Sequence, residues 1–321
     1  MSREIFEDRH EADWRRLENQ LRELEVKLPT ASENFPGLYR RVCYHLALAR
    51  HRLYGHDLER RLNSLVQRSH ELLYGPIHPR AGQIFELLAG EFPRALRRDA
   101  KVFLLAMLLF FGSGISLFVI VQADPDVAFT VIDPLTAADY REMYQPAEPQ
   151  KKEEERGFET DTLAFGHYIH NNISIAFRTF AAGVFAGIGA ILLVLYNGVV
   201  LGTVAGYLQS EGLGPQLWPF VVGHSAPELV GLVIAGVAGL KLGLALIAPG
   251  RRRRGQALAE ATREASPILA GAAFLVLIAA FIEAFWSASP LVPVPVKLVV
   301  GLLIWVLLGA FLLLGGRRRE S

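Results

Sequence analysis

Apolar positions along this chain fall into two regimes. Up to about residue 98 they recur three and four apart between charged residues, the spacing of one helical face. Trp14, Leu17, Leu21, Leu24 and Leu28 form one row, closed by Pro29. Leu38, Val42, Leu46 and Leu53 form a second, ended by Gly55, and a third runs from Asp57 to Leu73. Helices with polar outer faces predict a small antiparallel bundle, a cytoplasmic helical domain over 1–98. From Val102 onward the periodicity gives way to continuous apolar runs. Val102 to Val121 carries no charge, and its 20 residues suffice to cross a hydrocarbon layer ~30 Å thick.

The block from Ile173 to Ile247 is too long for one span and divides at its breakers. Asn197-Gly198 and Gly212-Leu213-Gly214-Pro215 are the turn signals. They predict a span over 173–196, a short or broken one over 199–209, and a long one over 218–247. Two more follow over 267–286 and 296–314, joined by the proline-rich stretch Ser289 to Pro295. The expected fold is all-α: a polytopic membrane protein with about six transmembrane helices over 99–321, behind the cytosolic helical domain.

Charge placement orients these spans. Lys+Arg number 33 and Asp+Glu 32, so the total says nothing until the charges are located. Arg94, Arg97, Arg98 and Lys101 precede the first span, Arg251 to Arg254 follow the fourth, and Arg317 to Arg319 follow the last. The positive-inside rule puts all three groups in the cytoplasm, with both termini. The loop 122–165 then lies outside; it holds 11 acidic and four basic residues, four prolines, and a helical stretch near Thr136 to Tyr144. Odd parity between Phe165 and Arg251 requires that 199–209 cross as well. Met1 to Glu25 lacks the apolar core of a signal peptide. Arginines of the N-terminal region alternate with glutamates, so no nucleic-acid partner is expected. The single Cys43 excludes an intrachain disulfide and a four-thiolate metal site, and no cofactor motif is present.

Ionisable side chains inside spans carry the chemistry, because each costs upward of ~2.5 kcal/mol at mid-membrane. Arg178, His224, Glu228, Lys241 and Glu283 qualify. Lys241 is close enough to an inner helix end to snorkel. The other four fall in the outer half on the predicted topology. His224 and Glu228, four apart around Pro227, share a helical face if the proline leaves that turn intact. With Asn171, Asn172 and Asn197 they predict an outward-open polar pocket in which Arg178 offsets Glu228 or Glu283; the competing reading is an ion pair that only orients helices. A minor alternative gathers His167, His170, His224 and Glu228 around a hydrolytic metal, although no HExxH-type motif supports it. Gly183-xxx-Gly187, Gly198-xxx-Gly202-xxx-Gly206 and Gly239-xxx-Gly243 are small-xxx-small patterns for close helix packing, within the subunit or in a homo-oligomer.

Several of these residues also carry a resemblance. His170-Asn171-Asn172, Gly183, Gly187, Gly189, Tyr196-Asn197-Gly198, Gly223-His224-Ser225-Ala226-Pro227-Glu228, Gly239-Leu240-Lys241-Leu242-Gly243 and Ile282-Glu283-Ala284-Phe285 resemble the stage II sporulation protein M family. The first hundred residues look like its longer members from bacteria that do not sporulate. The resemblance implies a bacterial inner-membrane location and a non-enzymatic scaffold that gathers envelope partners such as peptidoglycan-remodelling enzymes. The rival class is a transporter or lipid-binding carrier, in which Glu228 and Glu283 take up protons beside a broken helix. An intramembrane metal-dependent hydrolase comes third.

Overall fold

The computed structural model describes residues 2–26, 34–74, 81–145 and 158–317, and every regular element among them is helical. The chain divides into two compact units, Met1–Arg80 and Ala81–Ser321.

The first unit packs α1 (Arg3–Val26), α2 (Phe35–His51) and α3 (His56–Tyr74). Its core is made from the rows read in the sequence: Phe6, Trp14, Leu17 and Leu21 meet Leu38, Val42 and Leu46 of α2 and Leu58, Leu62 and Leu65 of α3. Leu28 and Pro29, the expected end of the first row, lie outside the described residues. Gly55 turns the chain between α2 and α3 at φ +108°, a conformation that favours a residue without Cβ. Arg61 of α3 grips both oxygens of Glu11 at 2.8 and 2.9 Å and lies over the Trp14 ring.

Beneath that clasp, the Trp14 indole donates to Nδ1 of His45 at 3.1 Å, and the His10 ring stacks on the same imidazole. Burial, with His10 beside it, pulls the His45 pKa down to about 4. The neutral ring is the one that accepts from Trp14. Unfolded, the ring binds a proton near its ordinary pH 6.5; folded, it does not until about pH 4. This contribution is therefore complete above pH 6.5 and is lost as the pH falls between those values, by up to about 3 kcal/mol. Hydrogen exchange of the full chain should show amides of α1 and α2 losing protection between pH 7 and 5, and a His45→Gln variant should lose this pH dependence.

The second unit contains α4 (Ala81–Glu86), a π turn over Leu87–Glu91, α5 (Phe92–Arg98), α6 (Ala100–Ala123), a 3-10 turn over Pro125–Thr130 and α7 (Pro134–Tyr144). There follow α8 (Phe158–Ala181), α9 (Ile188–Ser210), α10 (Gly214–Ile247), α11 (Arg254–Ile282), prolonged by a π turn over Glu283–Ser287, and α12 (Val294–Leu314). Five of these are long and apolar enough to cross a membrane: α6, α9, α10, α11 with its π turn, and α12. Central α10 has most of its length buried, which is why its apolar residues run without a polar face. About six spans are expected from the sequence; among the described residues five helices qualify, and α8, more polar than these, is not one of them. At 24 residues it is about 36 Å long, enough to run the depth of the bundle. Phe165 near its start meets Phe281 and Phe285, while Phe180 near its end meets Gly239 of α10.

Several sequence boundaries need correction. The expected division at residue 98 falls instead after Arg80, because α5 packs against the membrane helices: Phe92 lies on Gly271 and against Phe311, and Arg97 donates to the Leu312 carbonyl at 2.9 Å. Spans 173–196 and 199–209 do not exist as such. Helix α8 ends at Ala181, the chain reverses over 182–187, and α9 runs unbroken through Asn197-Gly198 to Ser210. The Asn197 amide donates to the Leu193 carbonyl at 2.7 Å, so it reinforces the helix rather than ending it. The true reversal uses Ala186 and Gly187 in left-handed conformations, φ +53° and +77°, within an apolar stretch. The turn lies toward the arginine-rich end, with Val184 and Ala186 near Ile247 and Arg254. Here Gly183 and Gly187 press on Gly239 and Gly243 of α10, whose missing side chains admit the turn. The same device joins α6 to α9, where Gly198 and Gly202 meet the backbone at Phe110 and Gly114. The glycine patterns thus serve packing inside the subunit.

The two ends of the bundle differ. One gathers Arg97, Asp99, Lys241, Glu264 and the Arg251 to Arg254 run; Lys241 bridges Asp99 and Glu264 at 2.9 Å each instead of reaching outward alone. The other carries a cap made from the Pro125–Thr130 turn and α7, which Asp133 starts by accepting from the Leu135 and Thr136 amides at 3.0 Å. Val121, Ala128, Ile132 and Ala137 join Tyr207, Leu208, Leu213 and Leu217 in a separate core there. Arg141 pairs with Glu211 at 3.2 Å, tying the cap to the α9–α10 turn. Residues 146–157 of the expected loop, with Pro146 and Pro149, lie outside the described residues.

Candidate functional site

At the capped end, α10 and the last turn of α11 bring three ionisable groups together. Helix α10 continues through Pro219 and Pro227, so the four-residue spacing puts His224 above Glu228, with His224 Nε2 3.7 Å from a Glu228 oxygen. Glu283 comes from the π turn that ends α11. A widened turn changes which side chains face inward, and such turns recur at functional sites. Ligand atoms of His224, Glu228 and Glu283 all lie within 4.8 Å of one another. His224 is 4% exposed and Glu283 8%, while Glu228 is partly open.

Ser287, four residues after Glu283, has its hydroxyl 3.0 Å from His224 Nδ1. The Ser287 carbonyl in turn accepts from Lys297 at 2.7 Å, and the same ammonium donates to the Ser289 carbonyl at 2.8 Å. A buried cation on the last carbonyls of α11 offsets the negative end of that helix and fixes the turn presenting Glu283 and Ser287. From α8, Asn171 donates to Asn172 Oδ1 at 2.9 Å, and Asn172 lies beside Glu283. Among the described residues neither Asn172 Nδ2 nor Glu283 Oε2 has a hydrogen-bond partner, although both are buried. Tyr144, the last residue of α7, closes the cluster from the cap, packing edge-on against Phe220, which itself meets the His224 ring. Burial and the carboxylates of Glu283 and Glu228 push the Tyr144 pKa upward, so its hydroxyl stays protonated.

Two cavities border the cluster. One of about 440 Å³ at the cap is lined by Tyr144, Tyr168, Phe220, Ser287 and Lys297. The other, about 470 Å³ and almost wholly apolar, lies between α6, α9, α10 and α12, with Phe111, Phe118, Leu201, Val221 and Trp305 in its wall. Tyr144 borders both.

Of the residues expected to form a pocket, His224, Glu228, Glu283 and Asn172 assemble, with Asn171 alongside. Arg178 does not. Because α8 starts at residue 158, Arg178 sits in its last turn, exposed and next to the Thr179 and Phe180 contacts with Gly239, toward the arginine-rich end. Asn197 lies in mid-helix, bonded to its own backbone. His167 and His170 are exposed on α8 and take no part in the cluster, so the alternative ligand set is not assembled. Tyr144, Ser287 and Lys297 were missed. Lys297 alone had a sequence signal, a charge just inside an apolar span; a tyrosine in a polar loop and one serine among many had none.

The fold and this cluster define a multi-pass helical membrane protein with a buried polar site near one end. Residues 104–288 match the family described as Stage II sporulation protein M, and residues 4–75 match a domain of unknown function, DUF8413. The first match covers more than half of the chain, and the protein belongs to the stage II sporulation protein M family. His224, Glu228, Glu283 and Ser287, the glycine contacts of α8 and α9 with α10 and α6, and the reversal at 182–187 fall inside the matched segment. No curated protein and no solved structure matches the chain.

Proposed function

We propose that this protein is a membrane-embedded organiser of envelope proteins, which holds partners at the capped end and catalyses no reaction itself. On this reading the arginine-rich end faces the cytoplasm, as the positive-inside rule requires, and the cap faces the periplasm or cell wall. The observation that carries it is the cap: an ordered platform with its own core and a tether at Arg141–Glu211, displaying Leu135 at 80% exposure, Met143 at 71% and Phe129 at 43%. Exposed apolar side chains on an ordered, water-facing element mark contact surfaces. Family membership supports partners that remodel peptidoglycan. A second reading, a lipid-binding carrier, draws on the apolar cavity of about 470 Å³, which suits an acyl chain. A transport path through Asn197 has less support, since neither cavity beside the cluster includes that residue.

Photocrosslinking residues placed at Leu135 and Met143 in living cells test it. The expected adducts contain peptidoglycan-remodelling enzymes, and Leu135→Glu with Met143→Glu should reduce their recovery at unchanged thermal stability. Adducts with lipid alone at the cap, together with lipid capture from a probe at Leu201, would replace the organiser by the carrier.

A further inference from the structure

We infer that His224, Glu228 and Glu283 form a binding site for one divalent transition-metal ion of the zinc class. The cluster offers one imidazole nitrogen and two carboxylates, with ligand atoms within 4.8 Å of one another. Ligands around an ion at ~2.1 Å stand about 3–4 Å apart, so rotamer shifts of order 1 Å close the set. No exposed acidic patch is involved, because Glu283 is more than nine-tenths buried and its Oε2 has no hydrogen-bond partner among the described residues.

The imidazole is prepared for the role. Nδ1 is engaged by the Ser287 hydroxyl at 3.0 Å, which leaves Nε2 turned toward Glu228 at 3.7 Å. A metal-binding histidine commonly has its other nitrogen held in this way, which sets the tautomer and the ring angle. Ser287 is held in turn through its carbonyl by Lys297. Arg178, the cation expected to offset these carboxylates, sits toward the other end of α8. Two carboxylates facing one another in a water-poor site gain most from a multivalent cation between them. Among the described residues the buried Asn172 amide, beside Glu283, also has no hydrogen-bond partner, so a ligand oxygen completing the set could be held there. This site is independent of the docking role of the cap.

The test uses the full chain purified in detergent, stripped with chelator, and titrated with Zn²⁺ and separately with Co²⁺. The expected result is about one ion per chain, a tetrahedral or five-coordinate Co²⁺ visible spectrum, and a raised melting temperature with metal. Glu228→Gln and Glu283→Gln should each remove stoichiometric binding and the metal-dependent thermal shift while retaining the melting temperature of the stripped parent. Ser287→Ala should weaken binding about 10–100-fold. Arg178→Ala should leave binding intact. Failure of the wild-type chain to hold Zn²⁺ or Co²⁺ at micromolar concentration would overturn the inference and leave a shared proton to balance the carboxylates. Undiminished binding in the Glu228→Gln, Glu283→Gln double variant would overturn it equally.

Discussion

Gly243→Leu should lower the melting temperature of the detergent-solubilised protein by roughly 10 °C, corresponding to a loss of about 3 kcal/mol or more. A Cβ at Gly243 would run into the backbone of Gly187 and Ala186, just as one at Gly183 would run into that of Gly239. Both partners are main chain, so no side chain can swing aside. Relief requires separation of the 182–187 reversal from α10, which breaks the close packing of both flanking helices on it. Gly309→Ala in α12 is the control: among the described residues nothing lies within 4 Å of its added methyl, and its stability should change by less than about 1 kcal/mol. Thermal unfolding followed by loss of monodisperse protein in size exclusion measures both. Equal melting of Gly243→Leu and Gly309→Ala would mean that the reversal does not depend on glycine contact.

Lys241→Met should cost nearly as much, by a different route. Lys241 donates to Asp99 at the start of α6 and to Glu264 of α11, each at 2.9 Å, and so ties three helices together at the arginine-rich end. Removing the shared cation leaves two carboxylates near one another in a partly buried setting. Breaking such a pair costs about 3–5 kcal/mol when fully buried; with Lys241 and Asp99 about one fifth exposed and Glu264 half exposed, about 2–3 kcal/mol is expected. Asp99→Asn and Glu264→Gln added to Lys241→Met should recover most of the loss, because the penalty comes from the orphaned charges. A triple variant as unstable as the single one would instead put the cost in lost packing by the lysine stem. The cycle is read by thermal unfolding at fixed detergent and low salt, since high salt screens the term.

Much of the site was legible because periodicity is local. His224 and Glu228 lie four apart in one helix, and that spacing alone places them on one face if the helix survives Pro227, as it does. Glu283 was recognisable as a costly charge in an apolar helix. Its inward direction was not, since that depends on the π turn at Glu283–Ser287 held by Lys297. Arg178 shows the opposite failure. It was given the depth of a helix that begins at Ile173, whereas the helix begins at Phe158 and puts it near the far end.

The amino-acid order by itself determined that this is an all-helical membrane protein with a polar helical bundle before it, which helix faces are apolar, and which charges sit among hydrocarbon-length runs. These follow from hydrophobic spacing and solvation cost, properties of each segment taken alone. Only the tertiary structure decided where the chain reverses and which charges meet. Ala182 to Gly187 turns because glycines of α10 leave room for its backbone, while Asn197-Gly198 stays helical because α6 packs against it. Close approach between distant segments sets both outcomes, and no local pattern encodes it.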